Sequence, residues 1–309
     1  MSEPATIVPQ PRHAARGYTE LLAAALLNGA IGTMVTYATM SAAMLVFLRV
    51  LFASLALGAV VAVRRDFRAL RGSGVLWRLL VAGVALAANL LTYFIAIRLT
   101  GVAVAIFLSY LAPIYVALIA PRLSGGKTEG VVFAALGIAL AGMALILVPG
   151  LIGEGLQLTA AGVVYGVIAG LMYAVYLMVG KQLRDRQVHS TTIVFAMCAV
   201  ATVVMLLLMA FGAVDLVVAD FTARNLLIGV LLGVVTTALS FSLIMAGVHH
   251  VPVQHASIMG YLEPVMAPIY ALFLLGQRPS PWTIAGGVLI IGAGVLVVVR
   301  SRSQDAVPV

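Results

Sequence analysis

Two charged side chains stand deep inside long apolar runs: Arg49, within Phe47-Leu48-Arg49, and Glu263, within Leu262-Glu263-Pro264. A charge at the centre of a membrane-spanning helix costs about 2.5–3.5 kcal/mol on insertion scales, so each needs a partner or a function. Glu263 can couple a proton or capture a substrate amine; alternatively it bonds to a neighbouring helix or pairs with Arg49. Pro264, the next residue, lacks an N–H and leaves a carbonyl one turn earlier without its usual donor. Arg49 carries five N–H donors, suited to a substrate carboxylate and equally to holding helix ends and carbonyl groups together.

Polar and aromatic residues recur around these charges at helical spacing. Asn28, Gly32 and Thr36 form one stripe, and Asn89, Thr92, Tyr93 and Ala96 a second. Tyr165, Tyr173 and Tyr176 form a third, and Gln254, Ser257, Tyr261 and Val265 a fourth. A stripe turned away from lipid lines either a packed interface or a cavity. The candidates for a substrate pathway are Asn28, Asn89, Tyr93, Tyr110, Tyr165, Tyr173, Tyr176, Ser257 and Tyr261, although tyrosines also pack between helices that bind nothing. Pro113 and Pro264 are candidate hinges, or static kinks. His249, His250 and His255 cluster without a cysteine or carboxylate at ligand spacing, so no metal site is expected and a gate or interfacial role is preferred. No nucleophile with a positioned base can be assembled, so neither a catalytic residue nor a cofactor is expected.

The elements that must position these groups are membrane spans. Of 309 residues, 63% are hydrophobic and only 9% charged, against roughly 25% charged in a soluble domain. The apolar residues come in runs of about 20, enough to cross hydrocarbon as helix. The pattern predicts an all-α membrane protein with helices at 18–38, 41–63, 76–97, 101–120, 130–148, 158–180, 190–212, 225–248, 254–275 and 282–300. Residues 1–17 read as a disordered tail and 301–309 as a second tail. The first run has the flanks of a signal peptide, but the internal repeat of the chain needs it, so it is read as an uncleaved span. Cys198 stands alone in an apolar run and offers neither a disulfide nor a thiol pair.

Loop charge sets the expected orientation. With a cytoplasmic N-terminus, 14 Arg and Lys residues face inward, and only Arg98, Arg224 and Arg278 face outward together with Glu154, Asp215 and Asp220. Both termini are therefore expected to be cytoplasmic. The net charge of +8 is scattered through short loops, which argues against a nucleic-acid partner.

The chain also resembles itself. Tyr-Leu-Ala-Pro at Tyr110 to Pro113 matches Tyr-Leu-Glu-Pro at Tyr261 to Pro264 at an offset of 151, and the same offset pairs Ala105 with Ala256. Gly137 and Gly142 match Gly287 and Gly292 one residue short of it. These matches lay helices three to five over eight to ten and predict two five-helix repeats, 18–148 and 158–300. An odd number of spans per repeat turns the second copy over, the inverted architecture of many secondary transporters. The small-residue faces of helices five and ten, Gly137 with Ala141 and Gly287 with Gly294, are expected to make close helix contacts, within one chain or in a dimer.

At Phe47-Leu48-Arg49, Tyr93-Phe94-Ile95-Ala96-Ile97-Arg98, Ala112-Pro113, Leu262-Glu263-Pro264-Val265 and Leu275-Gly276-Gln277 the chain resembles the EamA family of the drug/metabolite transporter superfamily. The resemblance spans about residues 20–300. It implies ten helices and the movement of amino acids, sugars, nucleotide precursors or drugs without ATP. Where that family commonly ends its fourth and ninth helices in an acid after Leu-Gly, this chain has Pro121-Arg122 and Gly276-Gln277, so no role of those acids carries over. The expectation is a secondary transporter of a small metabolite such as an amino acid, an exporter working by alternating access. It would sit in a bacterial inner membrane, in contact with lipid, as a monomer or homodimer with protons as the coupling ion. A passive channel or a non-transporting scaffold is the alternative.

Overall fold

Hydrocarbon offers a backbone no hydrogen-bond partners, so a chain with runs this apolar must satisfy its N–H and C=O groups within each segment, as helix. The computed structural model describes residues 11–67, 72, 74–124, 128–154, 159–214 and 221–305, and ten candidate spans lie among them. The tail through residue 10, the loop charges Arg68, Arg71, Lys127, Asp215 and Asp220, and residues 306–309 lie outside the described residues.

The first three spans are α1 (Pro11–Thr36), α2 (Ala42–Arg64) and α3 (Val75–Thr100). The fourth is broken into α4 (Val102–Ser109) and α5 (Ala112–Ser124), and α6 (Gly130–Glu154), α7 (Ala160–Asp185) and α8 (Ser190–Ala210) come next. The eighth span runs through α9 (Ala223–Leu231), a π-helical segment (Leu232–Leu239) and α10 (Ser240–His250). The ninth is again broken, into α11 (Val253–Met259) and α12 (Leu262–Leu275), and α13 (Pro281–Asp305) closes the chain.

Side-chain caps mark the span ends. Ser41, Thr159 and Thr222 accept the backbone N–H of Met44, Gly162 and Asn225, each relieving a donor that a helix start leaves orphaned. Several boundaries run past the sequence expectation, α7 for example ending at Asp185 rather than residue 180. α1 begins at Pro11 rather than residue 18, because proline is at home in a first helical turn and Arg16 bonds Glu20 one turn on, at 2.9 Å. α6 continues through Val148-Pro149-Gly150 to Glu154, with Gly150 lying against Ala103 of α4. α13 runs past Arg300 to Asp305, so the expected second tail begins as helix.

The most extensive packing pairs α3 with both α7 and α8, α6 with α13, α2 with α8, and α1 with both α10 and α12. In α6 and α13 the close approach is made by Gly142 and Gly286, where a Cβ on Gly142 would stand 2.6 Å from the Gly286 carbonyl oxygen. Gly137 is not part of it, since a Cβ there meets open space; the helix rotation that buries Gly142 turns Gly137 outward. Exposed Leu55, Trp77, Val164 and Phe273 cover the outside, as a lipid-facing surface requires.

The two broken spans carry the matching tetrapeptides. Each pauses at the tyrosine, and each proline enters the first turn of the helix beyond the break, Pro113 in α5 and Pro264 in α12. Proline is tolerated there because those N–H groups have no intrahelical acceptor. The matched tyrosines meet, the Tyr261 hydroxyl donating to the Tyr110 carbonyl at 2.6 Å across 151 residues of chain. Their rings stand 5.7 Å apart.

Candidate functional site

Glu263 sits in the first turn of α12, just past the break in the ninth span. Its carboxylate is faced by the side chains of Asn28 on α1 and of Tyr110 at the break in the fourth span. A pocket of about 20 Å³ adjoins it, lined by Leu21, Ala24, Ala25, Asn28, Tyr173, Leu177, Ile244, Ala256, Gly260 and Glu263. That volume is room for roughly one water.

Arg49, on α2, has a different set of partners. Its Nε donates to Thr237 Oγ1 at 2.6 Å, and its guanidinium carbon stands 5.7 Å from the centre of the Phe241 ring. Thr237 is aimed by the π-helical segment, whose wider turn lets its hydroxyl donate to the Leu232 carbonyl five residues back, at 2.9 Å. α2 approaches this segment without an intervening side chain, since a Cβ on Gly233 would lie 2.8 Å from the Arg49 carbonyl oxygen. Any larger residue at Gly233 would push α2 outward and carry Arg49 with it.

Arg49 and Glu263 are not an ion pair: among the described residues the salt bridges within 4.0 Å are Arg16 with Glu20 and Lys181 with Asp185. Each is nonetheless half-buried rather than sealed, and each is the other's foremost opposite charge. An aromatic wall runs between them. Phe241 stacks on Tyr176 at 6.1 Å, and Tyr176 stands 4.9 Å from Tyr173, which reaches the Glu263 pocket. Tyr93, half-buried and edge-on to Phe94 at 5.7 Å, lies in the field of both charges.

The sequence-chosen residues therefore divide. Asn28, Tyr173 and Glu263 line one pocket, Tyr110 faces Glu263, Tyr176 lies against Tyr173, and Tyr93 and Arg49 lie in the field of Glu263. Asn89 is turned aside, its amide donating to the Ala169 carbonyl at 2.8 Å between α3 and α7. The Ser257 hydroxyl is spent on the Gln254 carbonyl of its own helix at 2.8 Å. Tyr261 is wholly buried and locks the two breaks together. Tyr165 stands half-buried two turns from Tyr173 on α7, toward the far end of that span.

Thr237, Phe241 and Tyr18 escape the sequence pattern. Thr236-Thr237 after Gly233 inside an apolar run is the available signal for the first. Tyr18 bonds His255 Nδ1 at 2.7 Å, a buried contact that pins the start of α1 to α11. His255 thus takes an interfacial position, while His249 and His250 lie edge-to-face at 5.1 Å on α10.

The arrangement has counterparts in known proteins. The model of the EamA-like transporter family matches twice, over residues 15–148 and 160–300. An uncharacterized transporter from Archaeoglobus fulgidus is 31% identical over 288 residues, covering 92% of this chain and 96% of that protein. The threonine/homoserine exporter RhtA of Escherichia coli is 23% identical, covering 73% of each chain. A solved crystal structure superposes with a TM-score of 0.80 at 19% identity, covering 96% of this chain and 99% of the other, which shows the same fold. With the family model matched over both halves, and ten apolar spans to carry it, this chain belongs to the EamA-like transporter family and is a multi-pass membrane protein.

Proposed function

We propose that the chain is a secondary transporter that exports a small metabolite such as an amino acid across a bacterial inner membrane, by alternating access between two inverted halves. The observation that carries this reading is the site itself: two opposite charges, half-buried in the middle of an apolar bundle, that do not meet as an ion pair. Two charges held apart at that depth are costly for a scaffold and serve a protein that must receive a polar solute there.

Each family match contains five spans, an odd number, which supports a second half inverted relative to the first. Paired breaks at Tyr110 and Tyr261, followed by Pro113 and Pro264, are the natural hinges between the outer and inner halves of the fourth and ninth spans. The excess of Arg and Lys on one side supports cytoplasmic termini. The name of the RhtA relative supports both an amino acid and the outward direction.

The test is counterflow in liposomes reconstituted with the purified protein. Radiolabelled amino acids, purines and sugars are screened with and without a pH gradient. Saturable, trans-stimulated uptake of one solute class is expected, and its acceleration by the gradient would make protons the coupling ion. Flux that neither saturates nor responds to solute on the other side would replace the transporter with a channel.

A further inference from the structure

The partners of the two buried charges differ in a way that specifies a ligand. Glu263 faces the donors of Asn28 and Tyr110. The Asn28 side chain faces that carboxylate, yet Asn28 Oδ1 is buried with no hydrogen-bond partner. Asn28 is 7% exposed and lines the pocket with Glu263. An acceptor stripped of water and left without a donor costs about as much as a lost hydrogen bond, so the site is incomplete as it stands. What completes it is a group with several N–H donors and a positive charge, able to reach a carboxylate and an amide oxygen together.

Arg49 presents the converse. Its Nε is taken by Thr237, and among the described residues its other four N–H groups have no protein acceptor. Thr237 cannot neutralise it, and Phe241 offers only a ring face. A planar fork with its terminal nitrogens free is the geometry that receives a carboxylate in two parallel hydrogen bonds.

We propose that these residues form a two-point reader for a zwitterion, in which Glu263 and Asn28 Oδ1 take an α-ammonium group and Arg49 takes the α-carboxylate, with Tyr173 and Tyr176 walling the space between. The proposal rests on the transporter reading and deepens it, since it makes free α-amino acids the substrate class and excludes solutes with only one of the two charges. Thr237 becomes a positioning residue, because holding Nε fixes the plane of the fork.

The experiment measures binding to the purified full-length protein, using as probes L-threonine, L-leucine and L-phenylalanine, the methyl ester of each, and the matching acid without its amino group. The wild-type protein is expected to bind at least one free amino acid about 10-fold or more tightly than either of its analogues. Glu263→Gln should lose about 10–100-fold for the amino acid and be indifferent to the deaminated acid. Arg49→Gln should lose as much for the amino acid and be indifferent to the methyl ester. Asn28→Leu, which keeps both charges, should weaken the amino acid and the ester alike and spare the deaminated acid.

Equal losses for all three probes in both charge variants would overturn the proposal. So would a wild-type protein that binds esters or acids as well as amino acids, a comparison that needs no variant to fold. Counterflow of a sugar or purine with no amino acid bound would overturn the two-point reader and leave the transporter reading standing, whereas absence of counterflow for every solute would strike at that reading first.

Discussion

The two segments of the ninth span are built to opposite specifications. α11 buries Val253, His255, Ala256, Ser257, Ile258 and Met259, while α12, twice as long, has no buried residue at all. Both are helical and mostly apolar, so composition does not separate them. The difference is in what they pack against. α11 is clamped on the side that holds both chain ends, by α5 and by Tyr18 of α1, whereas α12 meets mainly α1 and α13 and leaves its side chains partly open. The site lies at the junction, with a water-sized pocket on the clamped side. The terminal side of this span is therefore packed more tightly than its other side, where exposed Phe273 and Leu274 of α12 face outward.

The largest effect expected on this contrast comes from the tyrosine that joins the two breaks. Tyr261→Ala removes a fully buried ring and leaves the Tyr110 carbonyl without its donor. It should lower the unfolding free energy by about 3–5 kcal/mol, read as loss of thermal stability in detergent. Tyr93→Ala, at a half-buried position, should cost far less stability and more transport. Equal destabilisation by the two would remove the distinction between clamp and cavity wall.

Next is the clamp itself. Tyr18→Phe leaves His255 buried without its partner, a cost of about 1–3 kcal/mol that falls on the contact between α1 and α11. In a Cys198→Ala, Ala24→Cys background, thiol labelling from the terminal side should rise about 5-fold or more. An unchanged rate would mean that the bond does not hold this side shut.

Asn89→Ala tests a residue that shares the polar stripe but not the site. Losing one hydrogen bond to the Ala169 carbonyl should cost about 0.5–1.5 kcal/mol of stability and leave substrate affinity unaltered. A change in affinity would return Asn89 to the pathway.

The smallest effect lies outside the membrane. His189 caps α8 by accepting the Thr191 N–H, and burial, followed by the neighbouring Arg64, lowers its pKa from the ordinary 6.5. A histidine that folds with a lowered pKa adds stability that is fully present above 6.5 and is lost as pH falls through its folded value. A slight decline in thermal stability below pH 6.5 is expected, and His189→Asn, which can still cap, should abolish it. Persistence of the decline in the variant would assign it to another group.

The ten spans were legible because about 20 apolar residues in a row have few other uses, and the two buried charges were legible because charge at that depth is rare. The tetrapeptide at Tyr110 and Tyr261 marks both breaks through its repetition, since proline alone does not break a helix here: Pro149 stands inside α6. Other parts were not readable. A polar stripe with a period near four marks an inward face, but Asn89 and Ser257 satisfy that pattern by bonding to backbone, and nothing in their spacing separates them from Asn28. Thr237 comes to Arg49 only through a π-helical register shift, which changes the facing of every later residue in the span and has no simple sequence signature. The glycine contact of α6 and α13 uses Gly142 and Gly286 rather than Gly137 because helix rotation, set by tertiary packing, selects among equally small residues.

Exchange between the looser and the clamped sides is tested most directly by placing one cysteine on each side of the site, Ala24→Cys beside the pocket and Ala267→Cys on α12, each in the Cys198→Ala background. Their reaction with a membrane-impermeant maleimide is timed in oriented vesicles with and without transported solute. Residue 24 is expected to react only from the terminal side and residue 267 only from the other, with solute raising one rate while lowering the other. Both cysteines reacting from the same side, or two rates indifferent to solute, would contradict alternating access about this site.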